Sequence, residues 1–177
     1  MEMCIGTLAQ VIDGSYKGPN LPSDVSVLRD IASGLHYIHT ARFVHRNIKP
    51  ENILISKDRR MKLSDLSFVD RIVYENCCWM AQELLEVLMI ARTFGADNTK
   101  NIKLKVTPSC DVYSAGCVFF FFLTRGIGGV HPFGNEFSEQ LCNMRKGEPV
   151  NIESKFVTFC IKLITVLLII LVFFLDY

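Results

Sequence analysis

The sequence predicts a mainly α-helical fold with one small β-hairpin, followed by a C-terminal apolar helix. Three observations predict it. Residues 24–40 and 110–124 carry apolar side chains either at helical spacing or all round. Two short apolar runs, 53–55 and 61–63, flank a polar, turn-like stretch. Residues 156–175 are almost continuously apolar.

The chain's 177 residues make a one-domain length. The apolar tail divides it into 1–155, globular in composition, and 156–175. A net charge of +1 and one sparse basic run (Lys100, Lys103, Lys105) give no field suited to nucleic acid, so none is expected as a partner. The seven cysteines are odd in number, form no C-x-x-C pair and include the adjacent Cys77 and Cys78. That pattern suggests neither a zinc ligand set nor a disulfide framework, and it fits reduced thiols in the cytosol. The opening MEMCIGTLAQ lacks the basic start and apolar run of a signal peptide.

The first helix is expected from Asp24 to about Thr40, after the turn residues Asp13-Gly14, Gly18-Pro19-Asn20 and Pro22. Leu28, Ile31, Ala32, Leu35 and Ile38 share one face of it. Ser23 or Asp24 can cap its start. A polar loop, His45 to Asn52, follows Phe43-Val44. Ile53-Leu54-Ile55 and Met61-Lys62-Leu63 then pair across Lys57-Asp58-Arg59-Arg60 as a hairpin. A further helix is expected at Ala81–Arg92 and a polar loop at Gly95–Lys105. Pro108-Ser109 opens the helix Cys110–Thr124, which is apolar almost all round and so reads as buried. It is too short, and too polar at its start, to cross a bilayer. The Phe119–Phe122 run reads as core. No later lobe helix is expected before the tail, which would leave part of that phenylalanine run uncovered.

His45-Arg46-Asn47-Ile48-Lys49-Pro50-Glu51-Asn52 resembles the catalytic loop of protein kinases, H-R-D-x-K-x-x-N, in its expected place between a helix and a hairpin. Thirteen residues beyond Asn52, Asp65-Leu66-Ser67 is similar to an altered D-F-G. Ala81-Gln82-Glu83 resembles A-P-E, and Asp111 to Gly116 resembles the start of the family's buried central helix. The four occur in the right order. The chain is therefore identified as a partial protein-kinase-like fold, the C-terminal lobe, spanning 1–155. Cys4 to Leu8, the run SAGCVFFFFLT and His131 to Gly134 are further similar to the kinase domain of the unfolded-protein-response sensor, the inositol-requiring transmembrane kinase/endoribonuclease. That family spans the endoplasmic reticulum membrane and carries an RNase domain after its kinase.

The resemblance implies ATP and Mg²⁺ as cofactors. Asn52 and Asp65 stand where the family keeps its Mg²⁺ ligands, oxygen donors suited to a hard ion. Lys49 stands where a lysine meets the transferred phosphate. The hinge backbone around Glu2 and Cys4 is a weak candidate for holding adenine. Asn47 takes the place of the catalytic aspartate, and a neutral amide cannot accept the substrate's proton. His45 and Asp111 read as structural, His45 as a hydrogen-bonding residue and Asp111 as a capping and loop-anchoring acid.

Other departures point the same way. The sequence starts at what resembles the hinge, with no G-x-G-x-x-G before it. Leu66 and Ser67 replace Phe and Gly, and the eighteen positions from Asp65 to Glu83 are short for the family. In the family that glutamate pairs with an arginine on a late helix.

Phe156 to Leu175 is long enough to cross a hydrocarbon core, with Lys162 near one end. Arg145, Lys146 and Lys155 before it place the kinase-like part in the cytosol, anchored to the endoplasmic reticulum or another membrane. A buried helix, or a wrongly spliced end to the reading frame, are the alternative readings. The functional expectation is a catalytically impaired pseudokinase or fragment of Ser/Thr type that acts by interaction, with a related full-length kinase as partner. An active ATP-dependent Ser/Thr kinase whose N-lobe lies outside the sequence is the second reading, and a membrane-anchored fragment without an independent fold is the third.

Overall fold

In a computed structural model of the chain, the structure describes residues 3–66, 74–93 and 106–152. The chain opens with a strand, β1 (Cys4–Thr7), and a short helix, α1 (Leu8–Ile12). Neither is expected from the sequence. A capping box starts α1: Gln10 N–H donates to Thr7 Oγ1 at 3.2 Å and Thr7 N–H to Gln10 Oε1 at 3.0 Å. This fixes the direction in which the chain leaves the sheet, and it carries Leu8 and Ile12 into the core.

Helix α2 runs Asp24–Thr40, with Ser23 as its cap. Its buried face holds Val27, Leu28, Ile31, Ala32 and Leu35, close to the expected stripe. The last turn departs from expectation, because His39 is buried where Ile38 is only half-buried. Strands β2 (Ile53–Ser56) and β3 (Met61–Leu63) form the predicted hairpin, with Ile53 opposite Leu63 and Ile55 opposite Met61. The sheet has a third strand. β1 pairs antiparallel with β2, Gly6 opposite Ile55 and Thr7 opposite Leu54, so β2 is central.

The hairpin lies against α2, where Gly34 allows the approach: a Cβ there would stand 3.1 Å from Leu63 Cδ1. Asp30, buried on α2, accepts from Arg60 Nε at 2.8 Å and from Met61 N–H at 3.2 Å, and Arg60 Nη2 lies 2.7 Å from its other oxygen. One carboxylate thus pins the hairpin turn to the helix.

Helix α3 spans Gln82–Thr93 and α4 spans Pro108–Leu123, each within about two residues of expectation. Proline at the first turn of α4 costs no helical hydrogen bond. Phe119, Phe120 and Phe122 are buried, and Phe121 and Leu123 pack against the same core as α2 and the sheet. The uncovered phenylalanine stripe expected from the sequence is therefore corrected. The phenylalanines are covered by α1, α2 and the sheet, and a late helix that is not expected from the sequence, α5 (Phe137–Lys146), follows. Its buried Met144 joins Cys117, Leu85 and Phe133 in a second cluster on the other side of α4. Gly147 ends α5 at φ 70°, a left-handed cap that favours glycine. Gln82 Nε2 donates to the Arg145 carbonyl at 2.9 Å and ties α3 to α5.

No helix among the described residues is long and apolar enough to cross a membrane. The expected apolar helix at 156–175, the boundary at 155, Glu2, Ser67 and the basic run lie outside the described residues.

Candidate functional site

The loop that matches the kinase catalytic motif runs between α2 and β2. One buried side chain on α4 holds it. Asp111 Oδ2 accepts His45 N–H at 2.7 Å and Oδ1 accepts Arg46 N–H at 2.8 Å. The His39 ring bonds the same carboxylate through Nε2 at 2.8 Å. Asp111 is 1% exposed, so these donors replace the water the charge has lost. The loop-anchoring role expected of Asp111 is what the geometry shows. His39 was not foreseen, although its place one helical repeat after Ile31 and Leu35 on the buried face of α2 signals it.

The clamp holds strained backbone. Arg46 has φ 66°, a left-handed conformation that costs a non-glycine residue about 1–2 kcal/mol. Asp65, beside it in the altered D-F-G, has φ 59°. Strain of this kind persists where the surroundings over-determine the backbone, and it concentrates at functional sites.

Four of the sequence-predicted residues come together here. Asn52, buried in the short 3-10 turn Pro50–Asn52, donates through Nδ2 to the Asn47 carbonyl at 2.9 Å. Its backbone N–H donates to the Lys49 carbonyl at 3.0 Å. Its own carbonyl accepts from Ser64 N–H at 2.9 Å and Ser64 Oγ at 3.0 Å, which brings the segment holding Asp65 against the loop. Asn47 Nδ2 then donates to Asp65 Oδ2 at 2.8 Å. Lys49 is half-buried on the same loop. Cys4 is not brought among these side chains; it sits in β1 opposite Ser56, although β1 runs beside the Pro50–Asn52 turn.

A divalent cation tests this arrangement. Mg²⁺ demands a near-octahedral set of hard oxygens and is held mainly by carboxylates and substrate phosphates. Asp65 supplies one carboxylate, and one of its oxygens already faces the Asn47 amide. Asp111 is spent on the loop backbone. No group of three acid, histidine or cysteine side chains suited to a metal occurs among the described residues. Asn52, whose Nδ2 faces the Asn47 carbonyl, and Asp65 are the residues that would hold a cation, together with substrate phosphates.

His45 is fully buried, and its Nδ1 accepts Asn47 N–H at 3.3 Å. Burial lowers its pKa, and this outweighs the opposing pull of Asp111, the Ser64 carbonyl and Asp65. It is a neutral strut, as the sequence suggested. His131 is similar: buried, with Nδ1 accepting Phe133 N–H at 3.3 Å and its ring edge-on to Trp79 at 5.1 Å. Burial pushes its pKa down to about 4 against the opposing Cys78 carbonyl. Glu83 of the A-P-E-like segment accepts the Cys110 thiol at 3.3 Å. Two of the buried thiols are held toward the protonated form. Cys117 is raised to about 12 by burial, and Cys78 is raised by its bond with Cys77 and by burial.

The sequence profile described as the protein kinase domain matches residues 1–169. The chain belongs to the protein kinase family. It is 30% identical over 166 residues to the human serine/threonine-protein kinase/endoribonuclease IRE2, a match covering 84% of this chain and 16% of that protein. It is 29% identical over 144 residues to the Arabidopsis thaliana serine/threonine-protein kinase/endoribonuclease IRE1a, covering 73% of this chain and 16% of that protein. The expected likeness to the sensor kinase/endoribonucleases is shown, and the chain spans about a sixth of the length of these relatives. Among solved structures, a MAP kinase from Leishmania major superposes with a TM-score of 0.55 at 24% identity, over 81% of this chain and 39% of that one. That likeness shows the kinase fold.

Two outcomes follow from the clamp and the buried rings. Asp111→Ala strands two loop N–H groups and should destabilise the chain by about 3 kcal/mol or more in urea unfolding. Asp111→Asn should not restore it, since its NH₂ would face a donor; full stability of that variant would show that the clamp is not needed. The His131 ring is neutral in the fold at pH values where the unfolded ring, near 6.5, binds a proton. Protons bound by the unfolded state therefore exceed those bound by the fold between pH 6.5 and about 4, so stability falls as pH falls through that window. The slope is at most about 1.4 kcal/mol per pH unit for this ring, and His45 adds in the same direction. His131→Gln should flatten the fall in thermal midpoint across that window; an unchanged slope would assign it elsewhere.

Proposed function

We propose that this kinase-family domain is catalytically impaired and acts by interaction. Asn47 carries the reading. It occupies the position of the catalytic aspartate and points its amide at the Asp65 carboxylate, 2.8 Å away. In that geometry it donates a hydrogen bond and has no basic site to receive a substrate hydroxyl proton. Losing a positioned general base costs about 10²- to 10⁴-fold in rate. The scaffold around the lost base is intact: the loop remains clamped by Asp111 and the phenylalanines of α4 are buried. A preserved scaffold with altered chemistry suits a binding role, and a related full-length kinase is the partner we infer. Residues 156–175, with the basic flank Arg145, Lys146 and Lys155, support attachment to the endoplasmic reticulum or another membrane, with the domain on the cytosolic side.

The second reading is an active ATP-dependent Ser/Thr kinase completed by residues outside this sequence. The assembly of Lys49, Asn52 and Asp65 on one anchored loop favours it. ATP and Mg²⁺ are the cofactors under that reading.

Phosphotransfer from labelled ATP separates the two. The full chain should phosphorylate neither itself nor a generic Ser/Thr substrate above a mock preparation. Activity that Asp65→Ala abolishes would sink the impaired reading. The membrane assignment has its own test, a fusion of residues 156–177 to a soluble reporter, which should resist alkaline extraction. Leu168→Lys should weaken its insertion by about 3 kcal/mol. A soluble, monomeric fusion would reject the anchor.

A further inference from the structure

We propose that the cleft between α2 and the β2–β3 turn docks an acidic peptide segment of a partner protein, one that carries a phosphorylated side chain. The cleft has a volume of about 300 Å³. Ser26, Arg29 and Asp30 line it from the helix, and Asp58, Arg59 and Arg60 line it from the turn. No residue of the kinase-like loop takes part. Arg60 and Asp30 balance each other, with Nε at 2.8 Å and Nη2 at 2.7 Å from the two carboxylate oxygens. Arg29 and Arg59 are exposed and make no ion pair among the described residues. Asp58 is the other acid of the lining, so the cleft keeps an excess of positive charge.

Arg59 is the residue that gives the cleft a use. Ser56 N–H donates to the Arg60 carbonyl at 3.0 Å and closes the turn, so Lys57, Asp58 and Arg59 make the connection. The last residue of such a three-residue connection is left-handed, and glycine is the residue that suits it. Arg59 stands there at φ 59°. Its side chain makes no hydrogen bond or ion pair among the described residues, so it does nothing for the turn that glycine would not do better. A side chain that opposes its own backbone and lines a cleft points to a role outside the fold.

The chemistry of the lining selects the occupant. Guanidinium groups meet carboxylate and phosphate oxygens through paired N–H donors, and a phosphorylated serine brings nearly two negative charges. That matches the two unpaired arginines. Ser26, whose Oγ lies 3.0 Å from Ser23 Oγ, adds a hydroxyl to the helix wall. A free anion held by exposed arginines is weakened by water and salt, whereas a peptide can reach both walls at once. A flat anionic membrane suits the place less, because the arginines line a recess and share it with Asp58. The inference deepens the proposed interaction role and rests on that reading for its purpose only. Kinase activity in the chain would leave docking intact, and failure to dock would leave the impaired reading standing.

The test is fluorescence anisotropy of the full chain with a short, labelled, glutamate-rich peptide bearing one central phosphoserine. The peptide should bind saturably, and its unphosphorylated form more weakly. Arg29→Glu and Arg59→Gly should each lower the affinity about tenfold or more, the scale of one lost charge-assisted bond. Arg59→Gly should nevertheless melt at the wild-type temperature or above it, because glycine suits the turn. Lys57→Gln removes a charge from the same turn but outside the lining, and should bind as the wild type does. Absence of saturable binding would overturn the proposal, as would arginine variants that bind normally. A Lys57→Gln loss as large as theirs would reduce the effect to net charge and overturn it as well. So would an Arg59→Gly chain that melts below the wild type, since Arg59 would then serve the turn. Displacement of the peptide by inorganic phosphate at equal concentration would assign the cleft to a free ion instead. Binding to phosphatidylserine vesicles that both arginine variants lose would assign it to a membrane.

Discussion

The architecture depends on one buried charge. Asp111, in the first turn of α4, is shut away from water and must find its hydrogen bonds inside the protein. It finds them in the backbone of His45 and Arg46 and in the ring of His39. The carboxylate and its partners come from three places in the chain: α4, the loop and the end of α2. An ion in this setting is stable only with its donors in place, and removing one partner strands the rest. The carboxylate therefore enforces a register among the three elements that apolar packing alone would leave loose. Apolar contact is tolerant of small slides, whereas a short charge-assisted bond is not.

The rest of the site is built outward from that clamp. Once the two N–H groups are fixed, Arg46 is forced into the left-handed region and the chain turns to bring Asn47 and Asn52 together. Asn52 in turn receives Ser64, which delivers Asp65 from the end of the hairpin. The hairpin is secured independently by Asp30 on α2, which binds Arg60 of the turn. Two acids, one on α4 and one on α2, thus set the positions of the loop and of the segment opposite it, and α2 is the common frame.

Local patterns in the sequence make much of this fold legible, and the limits of that legibility have physical causes. The alternation of Ile53, Ile55, Met61 and Leu63 around a polar turn reveals the hairpin, because both strands and their connection are contiguous. Strand β1 has no such signature. It is short, contains Gly6 and pairs with residues about fifty positions away, and a non-local pairing leaves no trace in either segment alone. Helix α5 is polar over most of its surface and buries only Met144, so it offers few apolar residues to announce a buried face, although Gly147 marks its end. At the site, the motif residues were readable by type and order. Their bonds were not: that Asn47 reaches Asp65, eighteen positions on, and that His39 joins Asp111, seventy-two positions on, are consequences of the fold.

The chemistry and the architecture of this loop rest on different atoms. The clamp takes hold of backbone N–H groups at His45 and Arg46, and the Asn52 side chain holds the Asn47 carbonyl, all of these bonds buried or partly so. The side chain at position 47 lies on the open side, and its bond to Asp65 is exposed. A hydrogen bond from a buried backbone group to a charge contributes about 1.5–3 kcal/mol, whereas an exposed one is weakened by competition from water. Under the proposed reading, an amide at 47 in place of an acid therefore bears on the reaction and leaves the groups that hold the fold untouched. The side chain at position 47 is not among the groups that hold the shape of the lobe. The same separation explains how Asp65 keeps a strained backbone here: its conformation is imposed through Ser64 and Asn52 from below, and the Asn47 amide has only to satisfy the charge that is left.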